Sequence, residues 1–171
     1  FSLHVNVLEA IRNEIRLAKE GKRAHIIAKM NSLLEPEIIT ALYEASQAGV
    51  KIELIVRGVC ALRPGVAGLS ENITVRSIIG RFLEHTRIFS FASADWRDRN
   101  FFRRIEVCFP VLDEKLKKRV LDEGLKSYLK DNVQAWEMDC NGFWHRKMPA
   151  RSTTKTCAQA TLLQELGQAV A

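Results

Sequence analysis

The sequence has no apolar run approaching the roughly 18 residues that span a bilayer. Its opening, Phe1-Ser2-Leu3-His4, places no basic stretch ahead of a hydrophobic one. The expectation is neither an integral membrane protein nor an uncleaved secretory precursor. An initiator Met is also missing, as expected for a piece of a longer polypeptide. Cysteine is sparse: Cys60, Cys108, Cys140 and Cys157 lie 48, 32 and 17 residues apart, with no Cys-x-x-Cys pair. Scattered thiols of this kind fit a reducing, cytoplasmic location and exclude a disulfide framework. A zinc site drawn from Cys140, His145 and Cys157 matches no compact ligand spacing, so no metal site is assigned to the chain. Internal repeats and low-complexity segments are absent as well. What is present is 171 residues, 47% hydrophobic and 27% charged, enough for one globular domain with a substantial core.

Periodicity assigns the elements. Apolar residues at Leu3, Val7, Leu8, Ile11, Ile15 and Ala18 recur at helical spacing, and Gly21 follows as a stop. His25 to Met30 is a short, mostly apolar run of the kind that forms a strand buried on both faces. Glu35-Pro36-Glu37 opens a second helix that Gly49 closes, and Lys51 to Arg57 is the next strand. Ala24 to Arg57 is thus a β-α-β unit with a right-handed crossover and parallel strands, which makes the class α/β. Further strands are expected at Ile73 to Ile78, Arg87 to Phe91 and Ile105 to Val111. A long helix follows over Asp113 to Lys130, capped by Asp113. Val133 to Met138 and Phe143 to Arg146 flank Asn141-Gly142, a hairpin signal. Thr161 to Gln168 adds a helical turn.

Lysine is the next absence. Between Arg57 and Arg104 there are nine arginines and no lysine, against the acids Glu71, Glu84, Asp95 and Asp98, so this window holds +5 of the chain's formal +6. A rigid guanidinium fork holds phosphate oxygens bidentately, whereas lysine is a mobile point charge, so the bias favours oriented phosphate binding over a nonspecific polyanion surface. In parallel α/β sheets ligands bind beyond the carboxyl ends of the strands. Lys29-Met30-Asn31-Ser32, Arg57-Gly58, His85-x-Arg87 and Ser93-Ala94-Asp95 all fall at or near such ends. His85, between Glu84 and Arg87, carries the side chain best suited to move a proton or accept a phosphoryl group near neutral pH. His4, His25 and His145 have no comparable company.

Four segments in order, Ile27-Ala28-Lys29-Met30-Asn31-Ser32-Leu33, Leu54-Ile55-Val56-Arg57-Gly58, Phe82-Leu83-Glu84-His85-x-Arg87 and Ser93-Ala94-Asp95-Trp96-x-x-Arg99-Asn100, resemble the C-terminal domain of bacterial polyphosphate kinase. The resemblance covers about residues 5 to 140. It implies a phospholipase-D-like domain over 1–131, with a mainly parallel central sheet flanked by helices, and a hairpin and tail over 132–171 packed on it. The activity it implies is reversible transfer of the ATP terminal phosphate to inorganic polyphosphate through a phosphohistidine, with Mg2+. The phosphorylated histidine belongs to the preceding domain of that family, and no residue here matches it. Magnesium ligands are likewise expected outside this chain.

By the same resemblance, Arg57 contacts the nucleotide phosphates and His85 is the second active-site histidine, the catalytic residue of this chain. Lys29, Asn31 and Arg87 join them as ATP or phosphate contacts, with Ser93 and Asn100 as a small polar pair downstream. The implied partners are ATP, ADP, inorganic polyphosphate, the preceding domains of the same polypeptide, further copies in a homo-oligomer and a membrane surface at its periphery; nucleic acid is not among them. The chain departs from the family at Arg97-Asp98, where Met-Pro is usual, and near Phe102, where an acid is usual. Ser90-Phe91-Ala92 is also shorter than the family's hairpin, from which residues missing from this stretch are expected. The competing readings are a basic nucleic-acid-binding or oligomerisation module and a phosphodiesterase. The first lacks aromatic-basic interleaving, and the second needs two His-x-Lys motifs where this chain has one His85-x-Arg87.

Overall fold

The first helix, α1 (Leu3–Lys19), buries Val7, Leu8, Ile11 and Leu17 along one stripe. It stops where Gly21 turns to φ +72°. There Gly21 N–H bonds Ala18 C=O at 3.0 Å and Lys22 N–H bonds Leu17 C=O at 3.0 Å, the paired bonds of a Schellman end. The second helix, α2 (Pro36–Gln47), begins with Pro36 behind Glu35, whose carboxylate accepts from Ile38 N–H at 2.7 Å. These local signals were legible from sequence because each lies within a few residues of the backbone groups it satisfies. The structure is a computed structural model that describes residues 3–91 and 109–168.

Six strands form one sheet: β1 (His25–Met30), β2 (Lys51–Val56), β3 (Ile73–Ile78), β4 (Ile88–Phe91), β5 (Ala135–Met138) and β6 (Trp144–Arg146). Their order is β4-β1-β2-β3-β5-β6. The centre, β1 with β2 and β2 with β3, is parallel. β4 joins β1 antiparallel, and β5 and β6 extend the other edge antiparallel. β6 therefore points the same way as the three central strands, and the sheet is mostly parallel in direction, as expected.

Alternation along each strand separates two cores. Ile26, Ala28, Ile52, Leu54, Val56, Ile73 and Val75 face α1 and α2. Ile27, Ile55, Ile78 and Ala135 face Leu125, Tyr128 and Ala158 on the other side. The second layer is built from α3 (Glu114–Leu121), a π-helical turn (Asp122–Lys126), α4 (Ser127–Lys130) and α5 (Ala158–Gln168). The result is an α/β sandwich. No described helix is long and apolar enough to cross a membrane.

Three elements differ from expectation. The helix read as continuous from Asp113 to Lys130 contains the π turn, at the point where Gly124 passes β4 so closely that a Cβ there would collide with Ile88 Cδ1. Of the strand expected at Ile105 to Val111, residues 105–108 lie outside the described residues, and Phe109 to Val111 are irregular. The last helix starts three residues earlier than Thr161, because Asp131, distant in sequence, caps Ala158 N–H at 2.7 Å.

Asp131 is fully buried, and its other oxygen accepts from Val133 N–H at 2.9 Å and Gln134 N–H at 2.7 Å. One carboxylate thus joins the end of α4, the start of β5 and the start of α5. Asp131→Ala leaves three backbone donors without an acceptor, at about 1 kcal/mol or more each. A loss on the order of 3 kcal/mol in urea unfolding is expected; a loss below about 1 kcal/mol would show that the turn is satisfied without it.

Candidate active site

Hydrogen bonding between the segments after β1 and β2 continues past the strands themselves. Arg57 N–H bonds Met30 C=O at 3.1 Å, Gly58 N–H bonds Asn31 C=O at 2.7 Å, and Leu33 N–H bonds Val59 C=O at 2.9 Å. This extension sets Asn31 and Arg57 side by side at the carboxyl end of the parallel centre. Gly58 lets the two segments approach closely, since a Cβ there would sit 3.1 Å from the Asn31 carbonyl oxygen. Ser77 Oγ, at the same end of β3, donates to the Arg57 carbonyl at 3.3 Å.

A cavity of about 240 Å³ opens here, lined by Arg57, Gly58, Ser77, Ile79, Trp136 and Trp144. Arg57 Nη1 is buried and has no hydrogen-bond partner, as is Asn31 Oδ1. A guanidinium stays charged at any physiological pH and leaving its donors unpaired is costly, so the arrangement calls for an anion. The two tryptophans lie on the hairpin around Asn141-Gly142, and no local sequence signal tells which sheet edge that hairpin joins. Their presence on the cavity follows from the pairing of β5 with β3.

His85 lies on the connection from β3 to β4, with His85, Thr86 and Arg87 exposed. Ile88 pairs with Lys29 in an antiparallel register, so the residues just before Ile88 reach the carboxyl end of β1. Arg57, Asn31, Arg87 and His85 therefore share one end of the sheet. From β4 across β1 to β2 is two strand spacings, about 10 Å. Ser93 and Asn100 lie outside the described residues.

Lys29, expected beside them as a phosphate contact, is differently employed. Its alternation parity puts it on the face of Ile27, beneath the second helical layer. There its Nζ donates to Glu84 Oε2 at 2.6 Å and sits 3.3 Å from the centroid of the Tyr128 ring. The Lys29 and Glu84 side chains are only 3% and 9% exposed. Gln159 Nε2, from α5, donates to Glu84 Oε1 at 2.7 Å. Burial pushes the Glu84 carboxyl up, but the bonds from Lys29 and Gln159 outweigh it and hold the group below the usual carboxylate range. Burial pulls the Lys29 amine below its ordinary value, with Glu84 opposing the shift, and burial together with the Glu84 charge raises the Tyr128 phenol.

The residues lining the cavity beside Arg57 include no carboxylate. Among the described residues, the one grouping with metal-type geometry is His4, Glu35 and Glu37, whose ligand atoms lie within 4.8 Å of one another. Glu35 in that group already caps α2. His145 is paired with Asp139 at 2.7 Å.

Residues 1–159 match the family described as "Polyphosphate kinase C-terminal domain 2". The chain is 58% identical over 173 residues to the polyphosphate kinase of Paraburkholderia phytofirmans, covering 95% of this chain and 25% of that protein. It is 59% identical over 172 residues to the polyphosphate kinase of Burkholderia cenocepacia, covering 95% and 24%. Its fold is similar to the crystal structure of polyphosphate kinase from Porphyromonas gingivalis, with a TM-score of 0.86 at 36% identity, over 99% of this chain and 27% of that one. The chain thus spans about a quarter of the length of these relatives.

The depressed Glu84 carboxyl has a definite sign. Its contribution to stability is complete above the unfolded-chain value near 4.3 and is lost as pH falls through the lower folded-state value. Glu84→Gln leaves Lys29 buried without a counter-charge, at a cost on the order of 3 kcal/mol near neutral pH. The difference in unfolding free energy between the parent and Glu84→Gln is expected to shrink as pH drops below about 4. A difference that stays constant down to pH ~3 would show that the pair adds no acid-sensitive stability.

Proposed function

Since the chain belongs to the polyphosphate kinase C-terminal domain 2 family, we propose that it is the C-terminal catalytic domain of a polyphosphate kinase, reversibly transferring the ATP terminal phosphate to inorganic polyphosphate. The observation that carries this reading is the Arg57 guanidinium, half-buried at the carboxyl end of the parallel strands with Nη1 unpartnered beside a cavity. A phosphate oxygen satisfies such a group in charge and geometry together.

Phosphoryl transfer is mostly positioning plus stabilisation of developing charge on the phosphoryl oxygens. In this division of labour Arg57 holds nucleotide phosphates, with Arg87 and Asn31 at the same end of the sheet and Ser93 and Asn100 completing the set. His85, exposed on its loop, assists proton or phosphoryl transfer. By the family resemblance the nucleophile is a histidine of the preceding domain, which becomes the phosphohistidine when it takes the terminal phosphate and ADP leaves, and no residue here matches that motif position. Magnesium, when bound, neutralises charge on the nucleotide phosphates and is held by ligands outside this chain.

Two experiments test the reading. In the complete polypeptide, Arg57→Lys keeps the charge and loses the fork, so nucleotide affinity and turnover are expected to fall by the equivalent of about 1–3 kcal/mol. Unchanged affinity and turnover would remove Arg57 from the site. The chain alone, incubated with radiolabelled ATP and magnesium, is expected to make no polyphosphate and to carry no phosphohistidine. Robust labelling of His85 would overturn the assignment of the nucleophile to another domain.

A further inference from the structure

From Ile79 to Arg87 the chain leaves the sheet, and groups distant in sequence fasten the loop that carries His85. Ile79 N–H bonds Gln134 C=O at 3.1 Å. Gly80 is wedged against the side chains of Gln134 and Gln159 so closely that a Cβ there would overlap both. The Gln159 amide then reads two successive parts of the loop. Its Oε1 accepts from Phe82 N–H at 3.0 Å, and its Nε2 donates to the Phe82 carbonyl and to Glu84 Oε1, each at 2.7 Å. Glu84 is fixed from its other oxygen by Lys29 at 2.6 Å, and Lys29 lies under the Tyr128 ring. Gln159 is 6% exposed and Lys29 2% exposed, while His85, the next residue after Glu84, is exposed.

A surface loop does not need a buried lysine, a buried amide and a buried carboxylate to remain folded. Burying such groups is costly unless every one is paired, and here they converge on the residue adjacent to the histidine. We propose that Gln159, acting through Glu84 and Lys29, is a positioning residue for His85: the tail helix α5 fastens the active-site loop and fixes where the imidazole is presented. The proposal rests on the reading of His85 given above. Gln159 bonds Phe82 and Glu84 rather than His85 itself. Its effect passes through the backbone of Phe82 and the carboxylate of Glu84, whose position sets the Cα of the following residue. The geometry uses all of the amide, donor and acceptor together, so a side chain of the same length without those groups cannot replace it.

The test uses the complete polypeptide and three variants. Gln159→Met keeps length and volume and removes the amide. Gln159→Asn keeps the amide one methylene short and serves if the first variant fails to fold. Ile11→Val, in α1 on the opposite face of the sheet, lowers stability without touching the loop. Thermal unfolding, kcat, KM for ATP and hydrogen–deuterium exchange of the 79–87 peptide are read for each. Either Gln159 variant is expected to lower kcat about ten-fold with KM within two-fold, and to speed exchange of the loop peptide at least ten-fold. Ile11→Val is expected to lower the unfolding temperature with kcat and loop exchange unchanged. A folded Gln159 variant with parental kcat, or one whose kcat loss merely follows its unfolding temperature as Ile11→Val does, would overturn the proposal. If the parent polypeptide makes no polyphosphate, the functional reading fails by itself, and loop exchange alone then decides whether Gln159 fastens the loop.

Discussion

In-register parallel pairing of β1 with β2 is the constraint from which the rest follows. His25 stands opposite Lys51 and each succeeding pair keeps step to Met30 and Val56. Parallel strands end at the same edge, and the loops beyond that edge meet only if the register holds to its last residue. Here it holds further, to Asn31 and Gly58, with Arg57 between. A slip of one residue would turn Arg57 to the opposite face and place Lys29 in the wrong core. The apolar residues that enforce the register, among them Ile52, Leu54 and Val56, are almost fully buried, so the position of the guanidinium is fixed by the packing of side chains that never meet a ligand.

The two cations at that edge show why charge alone does not define a site. Lys29 and Arg57 end adjacent, parallel strands, and both were natural candidates for phosphate. Lys29 is paired with Glu84 and sits against the Tyr128 ring, beneath the second helical layer. Arg57 keeps a buried nitrogen without a partner. The first belongs to the architecture that shapes the edge, and the second is available for chemistry there.

The β-α-β unit, the helix ends at Gly21 and Gly49, and the hairpin around Asn141-Gly142 were all readable from sequence, because each depends on neighbours within a few residues. That Asn31, Arg57 and His85 lie toward one end of the sheet was readable one step less directly, through the rule that parallel strands present their carboxyl ends together; of the three, only Arg57 lines the cavity. The destination of Lys29 was not: its partner Glu84 is 55 residues away and the ring above it lies on another helix. Nor was the pairing of Gln159 with Glu84, 75 residues apart, or the approach of Trp136 and Trp144 to Arg57. Composition and spacing carry no signal for contacts made across the sheet by elements whose order in it is not yet known. The reach of α5 back to Ala158 was hidden for the same reason, since its cap is Asp131.

The π-helical turn at Asp122–Lys126 acts on the helix that contains it as a change of phase. One residue more per turn shifts every later side chain by about 100° around the helix axis relative to an unbroken α-helix. Before the turn, α3 buries nothing and carries Lys115, Lys117, Lys118 and Arg119. After it, Leu125 is fully buried and Tyr128 lies over Lys29. Winding the same residues as an unbroken α-helix would rotate the phenol ring away from the ammonium group it covers, whereas deleting one of them would let an ordinary α turn replace the π turn with the ring still in place. The π turn therefore reconciles the length of chain between Asp113 and Asp131 with the placement of Tyr128 at Lys29.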